Sequence, residues 1–416
     1  MVTPSQQTTM AEERSKLARD VGAGWLNRTV VGVGLASLFS DLSHETITAV
    51  LPSLIAGMGA AAAALGTIEG VADGFSTAAK LYGGWMADRV RNRKILAASG
   101  YSAMALSPLV IAAALSWPVV LAGRALAWIS RGLRTPARKA LLADGVAPEA
   151  YGRAFGLERA MDSTGAIIAP LGVLALLHFG LSERNIILLS AIPAMLAAIA
   201  ILVLVREVPN RVPHPRPFLQ SLGGFGPRFN EFLAAVGLFG LGDFADTFYI
   251  LYTVAVLTPQ IGAARATTIS VAFYVVHNVL YAFWSYAGGW IADRVNKRLL
   301  LVCGYTSAAV AAALILCGVT SYLGLAFMFG LGGMGVGLYE AVEDALAAEL
   351  LPAPIRGSGF GMLSVVTGMG DLLSSLAVGW LWAAFGIRVA FVFALALMLL
   401  GVTLMTHLAL KRNQKN

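Results

Sequence analysis

The chain has 416 residues, of which 57% are hydrophobic and only 13% are charged, and its net charge is +7. Soluble globular proteins carry roughly 25% charged residues, so this composition argues against a soluble enzyme or a nucleic-acid-binding protein and predicts an integral membrane protein. The apolar runs are about 20 residues long, which favours membrane-spanning helices over the shorter alternating strands of a β-barrel. The only two cysteines, Cys303 and Cys317, lie in one apolar run, so neither a structural disulfide nor a thiolate metal site is expected.

Twelve apolar segments are predicted, and we expect each of them to cross the membrane as a helix. They cover residues 25–56, 65–88, 95–115, 117–140, 152–178, 185–205, 229–257, 266–291, 299–318, 320–348, 357–383 and 386–409. The longest interruption, residues 206–228, contains four prolines within nine residues, which prevents a continuous helix. The predicted fold class is therefore an all-α integral membrane protein with twelve transmembrane helices.

A sequence repeat indicates that these segments form two pseudo-symmetric halves of six helices. The stretch Gly83-Gly84-Trp85-Met86-Ala87-Asp88-Arg89 recurs 205 residues later as Gly288-Gly289-Trp290-Ile291-Ala292-Asp293-Arg294. A repeat of this length indicates two related halves rather than a short solenoid unit. The expected organisation is a tail at 1–24, halves at 25–205 and 229–409, a linker at 206–228 and a second tail at 410–416.

The distribution of basic residues predicts the orientation in the membrane. Lysines and arginines concentrate in the loops that follow the even-numbered segments, whereas the opposite loops contain only Arg184, Arg265 and Arg388. Loops rich in Lys and Arg remain in the cytoplasm. We therefore expect a multi-pass protein of the cell membrane (in bacteria the inner, cytoplasmic membrane) with both termini and the linker in the cytoplasm.

Both copies of the repeat resemble the loop motif of the major facilitator superfamily, Gly-x-x-x-Asp-Arg-x-Gly-Arg-Arg. The matching residues are Gly84, Asp88, Arg89 and Arg93 in the first copy and Gly289, Asp293, Arg294, Lys297 and Arg298 in the second. Arg91 and Asn296 replace the second glycine of the motif. The resemblance extends over all twelve segments. It implies the twelve-helix fold of that superfamily and secondary active transport by alternating access, without enzymatic activity.

The resemblance also implies a gate on the cytoplasmic side. In the superfamily, the motif acid contacts the start of segment 11 and holds the outward-facing state closed at that side. This role falls on Asp88, with its partner near Gly357. A carboxylate at such a place can interact with the N-terminal dipole of another helix, and glycines such as Gly84 allow that helix to approach closely. The alternative is a basic loop that only determines membrane topology.

Segment 5 partly resembles a second motif, found in the antiporters of the superfamily. The stretch from Gly165 to Gly172 places Pro170 after Ala169, where the motif has glycine. Those antiporters also often carry a buried arginine in segment 4, where this chain has Arg124, although Trp128 replaces the accompanying glycine. The resemblance favours export in exchange for protons, and the alternative is an ordinary helix that contains glycine and proline.

Ionisable residues within the apolar segments are candidates for proton coupling or substrate binding, because a charge at the bilayer centre costs at least about 2.5–3.5 kcal/mol. In segment 1, Asp41, His44 and Glu45 share one helix face. The other candidates are Glu69, Asp73, Arg124, Asp243, Asp246, His277 and Asp371. Any one of these can instead form a structural ion pair. The acids of segment 10, which are Glu340, Glu343 and Asp344, are expected in its cytoplasmic half.

The leading candidate for the coupling proton is Asp41, because acids of segments 1 and 7 are expected to face one another across a central cavity. Buried carboxylates and histidines can exchange protons near neutral pH. The set of Asp41, His44 and Glu45 is also a weak candidate for binding a metal cation.

These residues predict proton-coupled export of a cationic or amphipathic cationic small molecule. Two alternative functions remain open. One is export of a transition metal or metal chelate. The other is import of an anionic metabolite, with Lys80, Arg124 and Arg131 as its binding residues. A membrane enzyme or receptor is disfavoured, because the sequence has no nucleotide-binding or hydrolase motif. We expect a monomer in the lipid bilayer that uses the proton gradient and needs no cofactor.

Overall fold

The computed structural model describes residues 24–58, 62–207, 217–221 and 223–413, and within these ranges the chain is almost entirely helical. The helices are α1 (Arg28–Gly57), α2 (Ala62–Arg89), α3 (Arg93–Met104), α4 (Ser107–Ala113), α5 (Trp117–Asp144), α6 (Tyr151–His178), α7 (Glu183–Leu189), α8 (Ala191–Leu204), α9 (Phe218–Ser221), α10 (Pro227–Gly240), α11 (Thr247–Ile261), α12 (Ala263–Ala292), α13 (Lys297–Leu316), α14 (Tyr322–Leu350), α15 (Arg356–Phe385) and α16 (Ile387–Asn413). Short 3₁₀ turns at Pro148–Ala150 and Ala353–Ile355 precede α6 and α15.

The described residues contain eight helical stretches that are long and apolar enough to cross a membrane. This confirms the prediction of a multi-pass, all-helical membrane protein. The division into two halves and the count of twelve spanning helices remain predictions. Residues 208–216 and 222 of the predicted linker, and both chain ends, lie outside the described residues.

Three predicted segments are divided in the structure. Segment 3 is divided into α3 and α4, where Pro108 occupies the first turn of α4, and segment 6 is divided into α7 and α8. Segment 7 is divided into α10 and α11 by the non-helical residues 241–246. Within a membrane, backbone of this kind is tolerated where protein or a water-filled cavity surrounds it. This last interruption contains two of the predicted site residues, Asp243 and Asp246.

The two most extensive contacts between helices that precede the predicted linker and helices that follow it involve α2 and α6. Helix α2 packs on α15, and α6 packs on α12. Both contacts depend on glycine, because a Cβ atom at Gly84 would lie 2.5 Å from the Gly357 carbonyl oxygen and one at Gly152 would lie 2.1 Å from the Gly289 carbonyl oxygen. The backbones therefore touch directly, which is how small residues pack membrane helices together.

Candidate functional site

The carboxylate of Asp88 caps the start of α15. It accepts backbone hydrogen bonds from Gly357 (2.8 Å) and Ser358 (2.7 Å), and a third from the Arg93 guanidinium (2.7 Å). Asp88 is only 3% exposed. A buried carboxylate at a helix N-terminus interacts with both the unpaired N–H groups and the positive end of the helix dipole. We call the end of the bundle that contains Asp88 the motif face.

An ion-pair chain extends this contact across the motif face. The fully buried Arg93 also binds Asp144 at 2.6 Å, and Asp144 binds Arg356 of α15 at 2.6 Å. Arg356 in turn donates a hydrogen bond to the Tyr151 hydroxyl. Opposite charges therefore link α2, α3, α5 and α15 at one end of the bundle, and the hydrogen bond to Tyr151 adds α6.

The second copy of the motif makes the corresponding contact with α6. The Asp293 carboxylate accepts backbone hydrogen bonds from Gly152 (2.7 Å) and Arg153 (3.1 Å), and the Arg153 side chain binds it at 2.7 Å. The two contacts follow the 205-residue offset of the sequence, since Gly152 corresponds to Gly357. Each motif acid thus holds the first turn of a helix from the other part of the chain.

The remaining gating candidates make other contacts. Arg89 and Arg294 lie over the tryptophan rings of their own motifs, at 4.6 Å from Trp85 and 3.3 Å from Trp290. Gly165 allows α6 to pack on α1, because a Cβ atom there would lie 2.5 Å from the Leu38 carbonyl oxygen. Pro170 lies within α6.

Replacing Gly152 with alanine is expected to open the motif face, because the added Cβ atom would lie 2.1 Å from the Gly289 backbone. Gly172→Ala is the matched control on the same helix, since nothing lies within 4 Å of that position. The measurement is the alkylation rate of a cysteine placed at the motif face, after Cys303 and Cys317 have been replaced by serine. We expect at least a tenfold higher rate for Gly152→Ala. Equal rates in the two variants would contradict the close contact.

A cavity of about 220 Å³ lies between α2, α5 and α6 on one side and α10, the following Asp243, α14 and α15 on the other. Its charged lining is divided by sign. All five basic residues come from the first group of helices: Lys80, Arg131, Arg138, Lys139 and Arg159. Five of the six acids come from the second group: Asp243, Glu340, Glu343, Asp344 and Asp371, with Asp162 as the sixth. This differs from the expectation that acids face acids, and the physical reason is that opposite charges compensate each other when buried.

Arg131, Arg138, Lys139 and Arg159 form the following ion pairs. Arg131 binds Asp41 at 3.2 Å and Arg138 binds Glu158 at 2.7 Å. Lys139 binds Asp344 at 2.6 Å, and Arg159 lies between Asp162 (3.4 Å) and Glu340 (3.1 Å). The pair of Lys139 with Asp344 connects α5 to α14 across the cavity, and the pair of Arg159 with Glu340 connects α6 to α14. The fifth residue, Lys80, acts electrostatically on Asp371.

Three of the cavity carboxylates differ from the rest. In the described part of the chain, Asp243, Glu343 and Asp371 form no ion pair with a basic side chain. Neutral groups hold two of them, since the Tyr339 hydroxyl donates to Asp243 (2.6 Å) and the Tyr305 hydroxyl donates to Glu343 (2.5 Å). The cavity therefore contains three carboxylates that form no direct ion pair with a basic side chain in the described residues.

Aromatic rings accompany these carboxylates. Phe239 lines the cavity and stacks on Tyr305 with ring centroids 3.8 Å apart, and Tyr339 meets both rings edge-on. An aromatic face next to a carboxylate is a favourable environment for an organic cation.

The candidates of α1 lie away from this lining, apart from the contact of Asp41 with Arg131. His44 Nδ1 is 3.4 Å from the Arg124 guanidinium, and His44 Nε2 is 3.9 Å from Glu45. The three side chains do not converge on one point, and the described residues contain no group of three His, Cys, Asp or Glu side chains arranged for a metal ion. Glu69 and Asp73 belong to α2, but their side chains are outside the described part.

Asp246 and His277 form a separate pair. Asp246 precedes α11, and its carboxylate lies 3.3 Å from Nε2 of His277 on α12. The histidine is completely buried, whereas the Asp246 side chain is 30% exposed. Neither residue is part of the cavity lining.

Helices α5 and α14 supply much of the charged lining, which the sequence alone does not indicate. Glu340, Glu343 and Asp344, expected only as acids in the cytoplasmic half of segment 10, line the cavity. A signal was present in the repeat, since Lys139 and Asp344 are 205 residues apart and form an ion pair. Residues at equivalent positions with opposite charge can meet where the two copies face each other.

Comparisons with known proteins agree with this architecture. The family model described as Major Facilitator Superfamily matches residues 33–273 and, again, residues 233–416. An uncharacterized MFS-type transporter of Methanocaldococcus jannaschii is 28% identical over 358 residues, which are 86% of this chain and 89% of that protein.

Two solved structures share the fold. The human organic anion transporter MFSD10 has a TM-score of 0.75 at 17% identity and covers 91% of this chain and 99% of its own. The Escherichia coli fucose:proton symporter has a TM-score of 0.72 at 14% identity, with 91% and 98% covered. Membrane-spanning helices, the repeated motif and the matched family model together assign the function class. The chain belongs to the major facilitator superfamily and is a multi-pass membrane transporter for small molecules, not an enzyme.

Proposed function

We propose that this transporter exports a cationic or amphipathic cationic small molecule in exchange for protons. The observation that carries the proposal is the set of Asp243, Glu343 and Asp371, which line the cavity without a basic ion-pair partner in the described part of the chain. Repulsion among such carboxylates is relieved when a cation or a proton binds. Because substrate cation and proton relieve the same repulsion, they compete, which is the basis of exchange.

Alternating access follows from the two contacts at the motif face. Asp88 and Asp293 close this face by binding the first turns of α15 and α6. We infer that the motif face is cytoplasmic, as the excess of Lys and Arg indicates. The arrangement then corresponds to an outward-facing state, in which the two predicted halves, residues 25–205 and 229–409, rock about the cavity.

Location and assembly belong to the same proposal. We place the protein in the cell membrane as a monomer, with both termini in the cytoplasm. Its energy source is the proton gradient, as for the fucose:proton symporter that shares its fold. Gly165 packs α6 tightly on α1 within the first predicted half, and Pro170 lies in the same helix, so we infer that they keep this half rigid while the halves move.

The test is the transport of organic cations by the reconstituted protein with Asp371 replaced by asparagine. Asp371 lines the cavity with an exposed side chain, so it is accessible to a substrate cation. Since a loss of about 1.4 kcal/mol in binding is a tenfold change, we expect at least a tenfold loss of cation transport. Glu231→Gln is the control, because Glu231 forms an exposed pair with Lys411 far from the cavity. Full activity of Asp371→Asn, or transport that continues unchanged after the pH gradient is dissipated, would exclude the proposal.

A second candidate function is import of an anionic metabolite. It is favoured by the five basic residues of the cavity lining, and one protein of the same fold is an organic anion transporter. Arg131→Gln distinguishes the two functions. An anion importer loses uptake in this variant and keeps it in Asp371→Asn, whereas a cation exporter depends on Asp371. A metal exporter receives no support from the described residues, because they contain no suitable ligand group.

A further inference from the structure

We propose that His277 and Asp246 form a proton-binding pair outside the cavity. The proton on this pair controls how strongly the cavity holds a cation, and only this coupling step rests on the proposed function above. The argument uses the burial of His277, the contacts around its ring and the position of Asp246.

The imidazole of His277 is buried without a hydrogen-bond partner. His277 is 0% exposed, and in the described part of the chain neither its Nδ1 nor its Nε2 atom forms a hydrogen bond. Nε2 lies 3.3 Å from Asp246 Oδ1, within ion-pair distance but without hydrogen-bond geometry. An unsatisfied buried polar atom costs about 1–3 kcal/mol. Adding a proton makes the ring a cation next to a carboxylate, which offsets this cost.

The surrounding residues hold the ring in place. Tyr274 stacks on it at 5.6 Å between centroids, and Tyr249 lies at 6.3 Å. On the opposite side, Gly332 and Gly333 of α14 approach closely, since a Cβ atom at Gly333 would lie 2.2 Å from the His277 carbonyl oxygen. The faces of the tyrosine rings favour a cation over a neutral ring.

Each helix packed around the pair contributes few charged groups. Helix α11 contributes Tyr249 and the preceding Asp246, α12 contributes Tyr274, and α14 contributes glycine and Phe329. From α1, Glu45 acts electrostatically on Tyr274. Within the described residues, His277 is the only basic group that pairs with Asp246. The proton therefore has one acceptor ring and one compensating carboxylate.

Asp246 connects this pair to the cavity. It acts electrostatically on the cavity carboxylates Asp243 and Asp371. With a neutral His277, the charge of Asp246 adds to the negative potential of the cavity and favours a bound cation. When a proton from water binds the imidazole nitrogen, the pair becomes neutral overall and the cavity attracts the cation less. The 30% exposure of the Asp246 side chain gives the proton a route that buried His277 lacks.

The decisive experiment is ¹⁵N NMR of the full chain labelled at histidine, in detergent. The chain contains five histidines, and the signal of His277 is assigned by its loss in His277→Gln. We expect the signal of His277 at acidic pH to include an imidazolium that is paired with the Asp246 carboxylate. In Asp246→Asn the ratio of imidazolium to neutral imidazole at the same pH should fall at least tenfold, and Asp246→Glu should restore part of it. A His277 signal without imidazolium at acidic pH, or an equal ratio in Asp246→Asn and the unmodified protein, overturns the proposal.

The coupling step is tested separately with tetraethylammonium as the probe cation. Its affinity, measured by calorimetry, should fall at least tenfold from about pH 8 to about pH 5, and His277→Gln should remove most of this dependence. Unchanged dependence in His277→Gln overturns the coupling step. If tetraethylammonium fails to bind at every pH while His277 titrates as expected, the cation class of the proposed function is wrong and the proton-binding pair stands.

Discussion

Replacing Asp88 with asparagine is expected to open the motif face and to reduce transport at least tenfold. The carboxylate accepts three hydrogen bonds, from the backbone of Gly357 and Ser358 and from Arg93. An asparagine amide presents N–H groups to at least one of these donors, and it leaves the buried Arg93 without one of its two carboxylates. Removing one partner of a buried ion pair costs about 3–5 kcal/mol. Since 1.4 kcal/mol changes an equilibrium tenfold, this loss is enough to reverse the preference for the closed motif face.

The distance between two spin labels measures this opening. Arg91 follows α2 and Val295 follows α12, both are exposed, and cysteines at these positions report on the separation across the motif face. The exposed Cys303 and Cys317 are first replaced by serine. We expect a longer distance in Asp88→Asn, and also in Asp293→Asn, which releases α6. Glu231→Gln should leave the distance unchanged, because exposed ion pairs contribute only about 0–1 kcal/mol. An unaltered distance in Asp88→Asn, together with full transport, would contradict a gating role.

The sequence predicted those features that depend on short stretches or on composition. Hydropathy predicts the membrane helices, and the motif around Gly84 and Asp88 predicts a contact near Gly357. Both predictions follow from local chemistry. Direct contact between two helix backbones needs glycine, and the unpaired N–H groups at a helix start need a hydrogen-bond acceptor. The family membership inferred from this motif is confirmed by the family model.

The grouping of the buried charges could not be predicted in the same way. Helix periodicity places Asp41, His44 and Glu45 on one face, but the rotation of α1 against α5 decides that Asp41 meets Arg131 while His44 meets Arg124. That rotation results from packing of whole helices. The tyrosines that bind Asp243 and Glu343 also come from other helices or other turns, and no sequence spacing reveals them.

The sequence also does not show which charges of a helix face a cavity. Glu343 and Asp344 were expected in the cytoplasmic half of segment 10, and they lie in the second half of α14. That they line the cavity depends on how α14 packs against its neighbours. The interruption at residues 241–246 was also missed, because the apolar pattern continues through it. It places Asp246 beside His277.

Reversing the charge of Lys139 or Asp344 alone is expected to abolish transport, and reversing both is expected to restore much of it. The two residues form a 2.6 Å ion pair, with side chains 9% and 5% exposed, between α5 and α14. They occupy equivalent positions of the repeat, and so do Tyr151 and Arg356, which also contact each other. The sequence repeat predicts an axis that relates the two copies, and equivalent residues touch only close to such an axis. We therefore expect the backbone around the two positions to be similar, so that an exchanged pair meets nearly the same geometry.

Each single charge reversal buries two like charges next to each other, whereas the double variant keeps one acid and one base. Lys139→Asp places two acids together beside Glu343, and Asp344→Lys places two lysines together beside Arg138, at several kcal/mol each. We expect a loss of at least tenfold in transport for each single variant, and recovery to within about threefold of the unmodified protein for Lys139→Asp combined with Asp344→Lys. Recovery of transport is incomplete because the neighbouring charges are not exchanged: Arg138 remains on α5 and Glu343 remains on α14. Measured coupling energies for close charge pairs are about 1.5–7 kcal/mol, and a double-mutant cycle gives the value here.

Reversal of the exposed pair between Lys411 and Glu231 is the control, and it should leave transport unchanged. Size-exclusion chromatography in detergent separates misfolding from inactivity in each variant. If the exchanged protein elutes as a folded species but transports no better than the single reversals, then Lys139 and Asp344 act through their separate surroundings and not as a pair. If it recovers, the ion pair between α5 and α14 depends on opposite charge alone, and either part of the chain can supply either sign.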